Sequence, residues 1–292
     1  MDGSRDQEIQ RRHVLWENLS EMCDNDGYVQ TSEVRKLKVY FGGHGVFYDK
    51  EETHKVMNPG VAVSVLHNGK SYEDDLNEDS ILYHYPVSET PGRDKAGIAA
   101  LKNAHTLEIP LFVVDATRKK VRKVHWSYIA DFDDDQKLFE IKFADYSVDS
   151  LAKHIADTTE HEFECFEEVS ATEKRLVLSS SRDSKFKFRV RKRYGVVCSA
   201  CNISELELID AAHIVARKSN GTNDVRNGLP LCANHHRALD SGMIRINPST
   251  LRWVASEGLK LDDLNVTRQG IEHLRKQPAI EALRWRWENR KG

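Results

Sequence analysis

The chain has 292 residues, 39% hydrophobic and 30% charged, which is the composition of one large or two ordinary soluble globular domains. No apolar run approaches the roughly 20 residues of a membrane helix, and the start MDGSRDQEIQ lacks a secretory signal, so we expect no membrane partner and a cytosolic or nuclear location. Three of the five cysteines fall within 35 residues, which favours metal binding over a disulfide framework.

Charge changes sign along the chain. Residues 1–165 carry 20 basic and 31 acidic side chains, a net charge of −11, whereas residues 166–292 carry 23 and 15, a net charge of +8. A sign change of this kind predicts two domains, the second of which is suited to meet a polyanion.

In chain order, the first predicted element is an amphipathic helix over RDQEIQRRHVLWENLSEM. Five β-type runs separated by turn residues follow, and they predict a compact, mostly β domain. These runs are GVAVSVL, SILYHYP, IPLFVVDA, KVHWSYIADF and KLFEIKF. We therefore predict an α+β protein with a helical segment at 1–34, a β domain at 35–168 and a second domain at 169–292.

The second domain contains a set of metal ligands. The pair Cys198-x2-Cys201 suits one tetrahedral zinc ion, and Cys232 supplies a third thiolate. His235, three residues after Cys232, can complete a structural Cys3His zinc site. Successive helical side chains point about 100° apart, so His236 cannot bind the same ion as His235 and must face a different set of neighbours.

The residues around His236 suit a different ion. His236 lies one helical turn before Asp240, and oxygen and nitrogen ligands favour a hard or borderline cation. Upstream, the strand ELELIDAAHIV ends in His213. The loop that follows carries Asn227, whose amide can pin the loop backbone.

A His on a strand, an Asn closing a loop and a His on the next helix resemble the ββα-metal nuclease motif of the HNH family. The resemblance covers residues 183–290, and the residues that match are His213, Asn227 and His236. It implies that these three are catalytic and that the chain hydrolyses phosphodiesters. His213 would take a proton from water, and Mg2+ or Mn2+ held by His236 would bind the scissile phosphate.

The chain departs from the commonest HNH pattern at Ala212, where many members have an Asp or His metal ligand. Strand alternation places Asp210 on the same face as Ala212. Asp210 could therefore supply the missing oxygen, with or without Asp240.

A basic segment precedes the motif. Residues 174–193 hold nine Lys or Arg and one acid, and aromatic residues alternate with charges in KFKFR, which suits contact with a phosphate backbone. A solvated helix face is the alternative. The predicted DNA-backbone contacts are Lys185, Lys187, Arg189, Arg191, Lys192 and Arg193.

Short pieces of residues 35–145 resemble the SRA domain, a PUA-like β-barrel that binds DNA carrying a modified cytosine. In that family the base is flipped out of the duplex and held between aromatic rings. By this resemblance Tyr72 and Tyr85 form the pocket walls and Asp75 reads the polar edge of the base. His84 or Tyr83 could take the place of Tyr85. Alternatively, Tyr83 and Tyr85 could both be core residues. The matching pieces are GVAVSVL, YEDD, LYHYP, GRD and AALKNAHTLEIPLFVV.

A modified-base reader joined to an HNH nuclease resembles the modification-dependent, type IV-like restriction endonucleases. We therefore expect cleavage of double-stranded DNA that carries 5-methylcytosine or a related base. The acidic first domain argues against a strong nonspecific grip. Two alternatives stay open: an HNH nuclease that reads another mark, such as phosphorothioate, or serves repair, and a noncatalytic reader. The sequence also leaves open whether a homodimer is needed to cut both strands.

Overall fold

The structure, a computed structural model, describes six stretches of the chain, and the chain divides into two compact units, residues 1–159 and 160–292. The first unit includes the predicted N-terminal segment. No helix in the described stretches is long and apolar enough to span a membrane. The described stretches are 3–42, 45–69, 75–76, 78–144, 162–167 and 179–289.

The first unit is a mixed sheet with helices, and each of the five predicted β-type runs contains a strand. Its helices are α1 (Gly3–Glu21), α2 (Thr31–Lys36), α3 (Lys50–Thr53) and α4 (Pro91–Thr106). Its strands are β1 (Tyr28–Gln30), β2 (Val46–Phe47), β3 (Ser64–His67), β4 (Asp75–Leu76), β5 (Ser80–His84), β6 (Leu111–Asp115), β7 (Val121–Asp133) and β8 (Leu138–Phe143).

The sheet runs in the order β2-β3-β6-β7-β8-β5-β4, with β1 also paired to β7. Strands β3 and β6 are parallel and the other pairs are antiparallel. Successive side chains of β6 enter two different cores, Leu111 and Val113 on one face and Phe112 and Val114 on the other. The α+β class is confirmed, whereas closure into a barrel stays a prediction.

Helix α1 is fixed to this unit by a buried arginine, which also pairs with a carboxylate of the same helix. The guanidinium of Arg12 is fully buried, lies 2.6 Å from the carboxylate of Glu8, and donates to the carbonyl of Ala62 at 3.0 Å. A buried charge is tolerated only when it is paired and hydrogen-bonded. The predicted helix is therefore part of the first unit rather than an appendage.

The second unit contains two antiparallel strands followed by a helix, as the ββα resemblance predicts. Its elements are α5 (Ser179–Tyr194), β9 (Ile209–His213), β10 (Gly228–Cys232), α6 (Ala233–Asp240), β11 (Ile244–Ile246), β12 (Trp253–Ala255) and α7 (Ile280–Glu288). The register pairs His213 with Gly228 at one end of the β9–β10 ladder and Ile209 with Cys232 at the other. The hairpin thus delivers one thiol and one histidine to opposite ends.

Candidate functional site

Four buried side chains converge at the start of α6. The ligand atoms of Cys198, Cys201, Cys232 and His235 all lie within 4.8 Å of one another. The His235 Nδ1 atom is 3.1 Å from the Cys232 sulfur, and its Nε2 atom is 3.1 Å from the carbonyl oxygen of Leu264. That second contact favours a proton on Nε2 and leaves Nδ1 as a ligand. The set fits one tetrahedral metal ion, in agreement with the predicted grouping.

His236 faces away from this cluster and lies between two carboxylates. Its Nδ1 atom is 3.4 Å from Asp210 Oδ2, and its Nε2 atom is 3.5 Å from Asp240 Oδ2. The side chain of His236 is 29% exposed, that of Asp210 39% and that of Asp240 55%. The two carboxylates meet opposite nitrogens of one ring. An ion bound to one ring nitrogen of His236 can therefore be ligated by only one of the two carboxylates.

His213 lies at the end of β9 in a restricted setting. Its ring stacks on Phe186 with centroids 3.8 Å apart, and its Nε2 atom is 2.9 Å from the side-chain oxygen of Asn223. Burial lowers the pKa of His213 to about 4, helped by Arg217 and His236 and opposed by the bond to Asn223. An imidazole with this pKa is neutral at physiological pH, which proton acceptance requires.

Asn227 fixes the loop between β9 and β10, as its sequence position predicts. Its side chain is fully buried, accepts from the Val215 amide at 2.8 Å, and donates to the carbonyls of Val215 and Thr222 at 3.1 and 2.8 Å. Gly221 makes this closure possible, because a β-carbon there would lie 1.9 Å from the Val215 oxygen.

A second support for this loop was missed by the sequence analysis. The carboxylate of Glu167 accepts from the Asn223 backbone amide at 2.8 Å and pairs with Arg217 at 2.9 Å. Phe166 forms a β-bridge with Gly221. The segment before α5 therefore orders Asn223, which in turn contacts His213. No local pattern signals a contact between residues 56 positions apart.

Two buried arginines support the strand and helix that carry the carboxylates. Arg191 donates to the carbonyl of Leu206 at 2.7 Å and to that of Ile209. Arg286 donates to the carbonyls of Leu239 and Asp240. Burial lowers the pKa of both arginines, and the neighbouring carboxylates, Asp210 and Asp240 respectively, oppose that effect.

Residues 179–193 of the basic segment lie in the helix α5, and the aromatic residues of KFKFR are core rather than interface. Phe186 is 2% exposed and Phe188 is 1% exposed. Arg191, one of the predicted DNA contacts, is 8% exposed and bonded to carbonyls, and a DNA contact would require it to leave them. Lys187 lies 3.4 Å from Asp210, and this contact places a cation at the edge of the site. The other predicted cations, Lys185, Arg189, Lys192 and Arg193, are partly or fully exposed.

The predicted base pocket of the first unit is described in part. Asp75 begins β4 at one end of the sheet order, paired with Leu82, whereas Tyr72 lies outside the described residues. Tyr85 is 7% exposed, packs on Phe139 and donates from its hydroxyl to Asp134 at 2.9 Å. A stacking role for Tyr85 would require it to leave this packing.

Comparison with known proteins bears on the second unit. Residues 197–247 match the family model described as HNH endonuclease. This segment is an HNH endonuclease domain. Family members are metal-dependent nucleases, and the matched HNH segment spans the thiol and histidine ligands, His213, Asn227, His236 and both carboxylates.

Several solved structures resemble the chain that carries this HNH segment. A modification-dependent TagI restriction endonuclease is 17% identical, with 89% of this chain and 90% of that one covered and a TM-score of 0.35. The SRA domain of SUVH5, in complex with fully methylated CG DNA, is 20% identical over 39% of this chain and 83% of its own (TM-score 0.29). The type IV phosphorothioation-dependent restriction endonuclease ScoMcrA is 13% identical over 85% and 56% (TM-score 0.26).

These TM-scores are too low to establish a common fold. No curated protein matches the chain. The HNH segment is therefore characterised by its family match and its own geometry.

Proposed function

We propose that the protein is a modification-dependent DNA endonuclease that recognises a modified cytosine, 5-methylcytosine or a related base, and hydrolyses DNA phosphodiesters with its HNH domain. The observation that carries the proposal is that His213 and His236 lie close together within one HNH segment, so that the charge of His236 adds to the burial that lowers the pKa of His213. A structural zinc finger would need neither histidine.

His213 acts as the general base in this proposal. Its Nε2 atom faces the Asn223 oxygen, so Nδ1 is the nitrogen that accepts a proton from water. The resulting hydroxide attacks phosphorus, the bond to the 3′ oxygen breaks, and that oxygen takes a proton from solvent. Asn227 keeps His213 oriented by fixing the loop that follows it.

The catalytic ion, Mg2+ or Mn2+, would be held by His236 with Asp210 or Asp240. When bound, such an ion stabilises charge on the scissile phosphate and the leaving oxygen. The exposed nitrogen and oxygen donors suit a hard or borderline cation, whereas the buried Cys3His set suits structural zinc. The partly exposed cations of α5 would contact the DNA backbone.

The first unit would act as the reader. Support comes from the resemblance of its sequence to the SRA family, in which aromatic rings hold a flipped base and a carboxylate reads it. Tyr72 and Asp75 carry these roles in our proposal, and Tyr85 forms the second wall if its ring moves out of the core. Asp75 suits the role because a carboxylate can accept from the amino group of cytosine.

Cleavage of matched plasmids tests the proposal. Plasmids with and without 5-methylcytosine, and a third with phosphorothioate linkages, are incubated with the full chain and Mg2+ or Mn2+. We expect cleavage of the cytosine-modified plasmid alone, and its loss in His213→Ala. Equal cutting of all three would refute modification dependence, and binding without cleavage under every ion would favour a noncatalytic reader. Nicked circles that persist before linear DNA would indicate that the two strands are cut in separate events, as expected if a second copy is required.

A further inference from the structure

The turn between β6 and β7 is strongly basic within an acidic unit. Residues 1–159 carry 20 basic and 28 acidic side chains, yet five cations fall in the six positions from 118 to 123. The first three of these cations are exposed and the last two are half-buried. The cations of this basic turn are Arg118, Lys119, Lys120, Arg122 and Lys123.

The basic turn lies beside the end of β3, from which the chain continues to the proposed base-reading residues Tyr72 and Asp75. Strands β3 and β6 are parallel, and His67 lies opposite Asp115. The segments that follow these two strands therefore leave the sheet at the same end. The amide of Ala116 donates to the carbonyl of His67 at 2.7 Å. A β-carbon on Gly69 would lie 3.4 Å from Thr117. The segments that follow β3 and β6 are therefore still close to each other beyond the ends of the strands. The loop that begins there contains Tyr72 and leads to Asp75.

Two cations of the basic turn, Arg118 and Arg122, contact uncharged groups, and Lys123 lies opposite Asp115 in the β6–β7 ladder. The Arg118 guanidinium lies 4.3 Å from the centre of the Tyr28 ring, and Arg122 donates to the carbonyls of Arg118 and Val121 at 2.9 and 2.7 Å. Within the described stretches none of the five forms an ion pair. The nearest acid along the chain, Asp115, accepts from the Thr117 amide. Clustered like charges raise the free energy of the folded state, and a polyanion would lower it.

We infer that the basic turn binds the phosphate backbone of duplex DNA at the end of the sheet from which the chain continues to Tyr72 and Asp75. The inference rests on the proposed function for its choice of DNA. An acidic unit repels DNA over most of its surface, so a local cation cluster at this end of the sheet gives attraction where the duplex must approach. Such contacts position the duplex and carry no sequence information.

Salt-dependent binding tests this inference. The full chain with His213→Ala, which blocks cleavage, is titrated onto a fluorescent duplex with or without 5-methylcytosine at several salt concentrations. Lys119→Gln with Lys120→Gln should lower the salt slope by about 2, because each phosphate contact contributes about 0.9, and should weaken both duplexes by roughly tenfold.

The matched control removes the same charge elsewhere on the unit. Lys36→Gln with Lys55→Gln neutralises two exposed lysines that pair with Glu33 and Glu52 at 3.6 and 3.1 Å, and it should leave the slope unchanged. Thermal unfolding confirms that each variant is folded. If the first variant is not, Arg118→Gln with Lys119→Gln replaces it.

An unchanged slope and affinity in the turn variant would overturn the inference, as would a loss confined to the modified duplex, which would indicate base contact instead. Tighter binding of an RNA duplex than of DNA, abolished in the turn variant, would also overturn it. Plasmid cleavage by the unaltered chain is a separate readout. Failure of the proposed function would appear in the plasmid cleavage, whereas failure of the assignment of the basic turn would appear only in the salt-dependent binding.

Discussion

His235 and His236 are neighbours in sequence and occupy opposite kinds of site. His235 is 3% exposed, its ring is fixed by a backbone carbonyl, and its remaining nitrogen faces thiols. His236 is 29% exposed, and each ring nitrogen faces a carboxylate that is itself open to solvent. A closed ligand set suits a structural ion, and an open one leaves room for a substrate.

The contrast teaches how one short helix can serve two purposes. Helix α6 turns its side chains through about 100° per residue, so a single step in sequence moves a histidine from the core to the surface. Cys232 immediately precedes the helix and belongs to the closed ligand set, whereas Asp240 is the last residue of the helix and belongs to the open set. The closed set should govern folding and the open set should govern chemistry, and the following tests separate the two.

The largest effect is expected from Cys232→Ser. Loss of one thiolate should abolish zinc binding and unfold the second unit, because the binding energy of a structural zinc ion is folding energy. We expect no detectable cleavage, no bound zinc, and loss of the second unit's thermal transition. Cys165→Ser, a change at a cysteine outside the ligand set, should leave all three readouts unchanged. A folded, zinc-free and active Cys232→Ser protein would remove the distinction between the sites.

An intermediate effect should separate the two carboxylates of the open site. Asp210 lies on the strand that ends in His213, whereas Asp240 is more exposed at the helix end, so we expect the ion between His236 Nδ1 and Asp210. Asp210→Asn should slow single-turnover cleavage on the order of 100-fold, and Asp240→Asn about threefold. Both changes remove one charge and preserve shape. The reverse order would place the ion at Nε2.

The smallest effect concerns the orientation of His213. Asn223→Ala removes one hydrogen bond and should slow cleavage about tenfold without unfolding the protein. Because that bond raises the pKa of His213, its loss should lower the pKa below about 4, whereas Asn223→Asp should raise it.

The sign of the pH dependence follows from the same shift. With a pKa of about 4, His213 in the unaltered chain stays neutral from pH 8 down to pH 6, so its protonation should not reduce the rate there. NMR titration of the ring proton measures these pKa values. A midpoint near 6.5 in the unaltered chain would show that His213 is not held in the buried setting described above.

Much of the site could be predicted because its pattern is local. The C-x2-C pair and the His-His step each span a few residues, and ligand chemistry with helix geometry assigns them. Asn227 was similarly predictable, since its partners are at most twelve residues away. The β runs of the first unit were confirmed because alternation and turn residues act over short distances.

What could not be predicted depends on helix phase or on distant contacts. Charges and aromatics alternate in KFKFR as they would along a strand, yet the segment is a helix, and its phase buries Phe186, Phe188 and Arg191. The contact from Glu167 to Asn223 joins segments that no periodicity relates. Tyr85 resembled a pocket wall by alignment, but its packing on Phe139 depends on a neighbouring strand.

The pairing of β9 with β10 joins the two ion sites in one further way. Cys232 lies opposite Ile209, and Leu231 lies opposite Asp210. A slip of one residue in this ladder would turn every side chain of β10 to the other face and carry the thiol away from its partners. An ion bound by the four ligands would therefore favour this register, and the same register fixes which residue of β10 lies across from Asp210. The geometry of the open site should therefore depend on the closed one, so nuclease activity should be lost in chains that lack the structural metal.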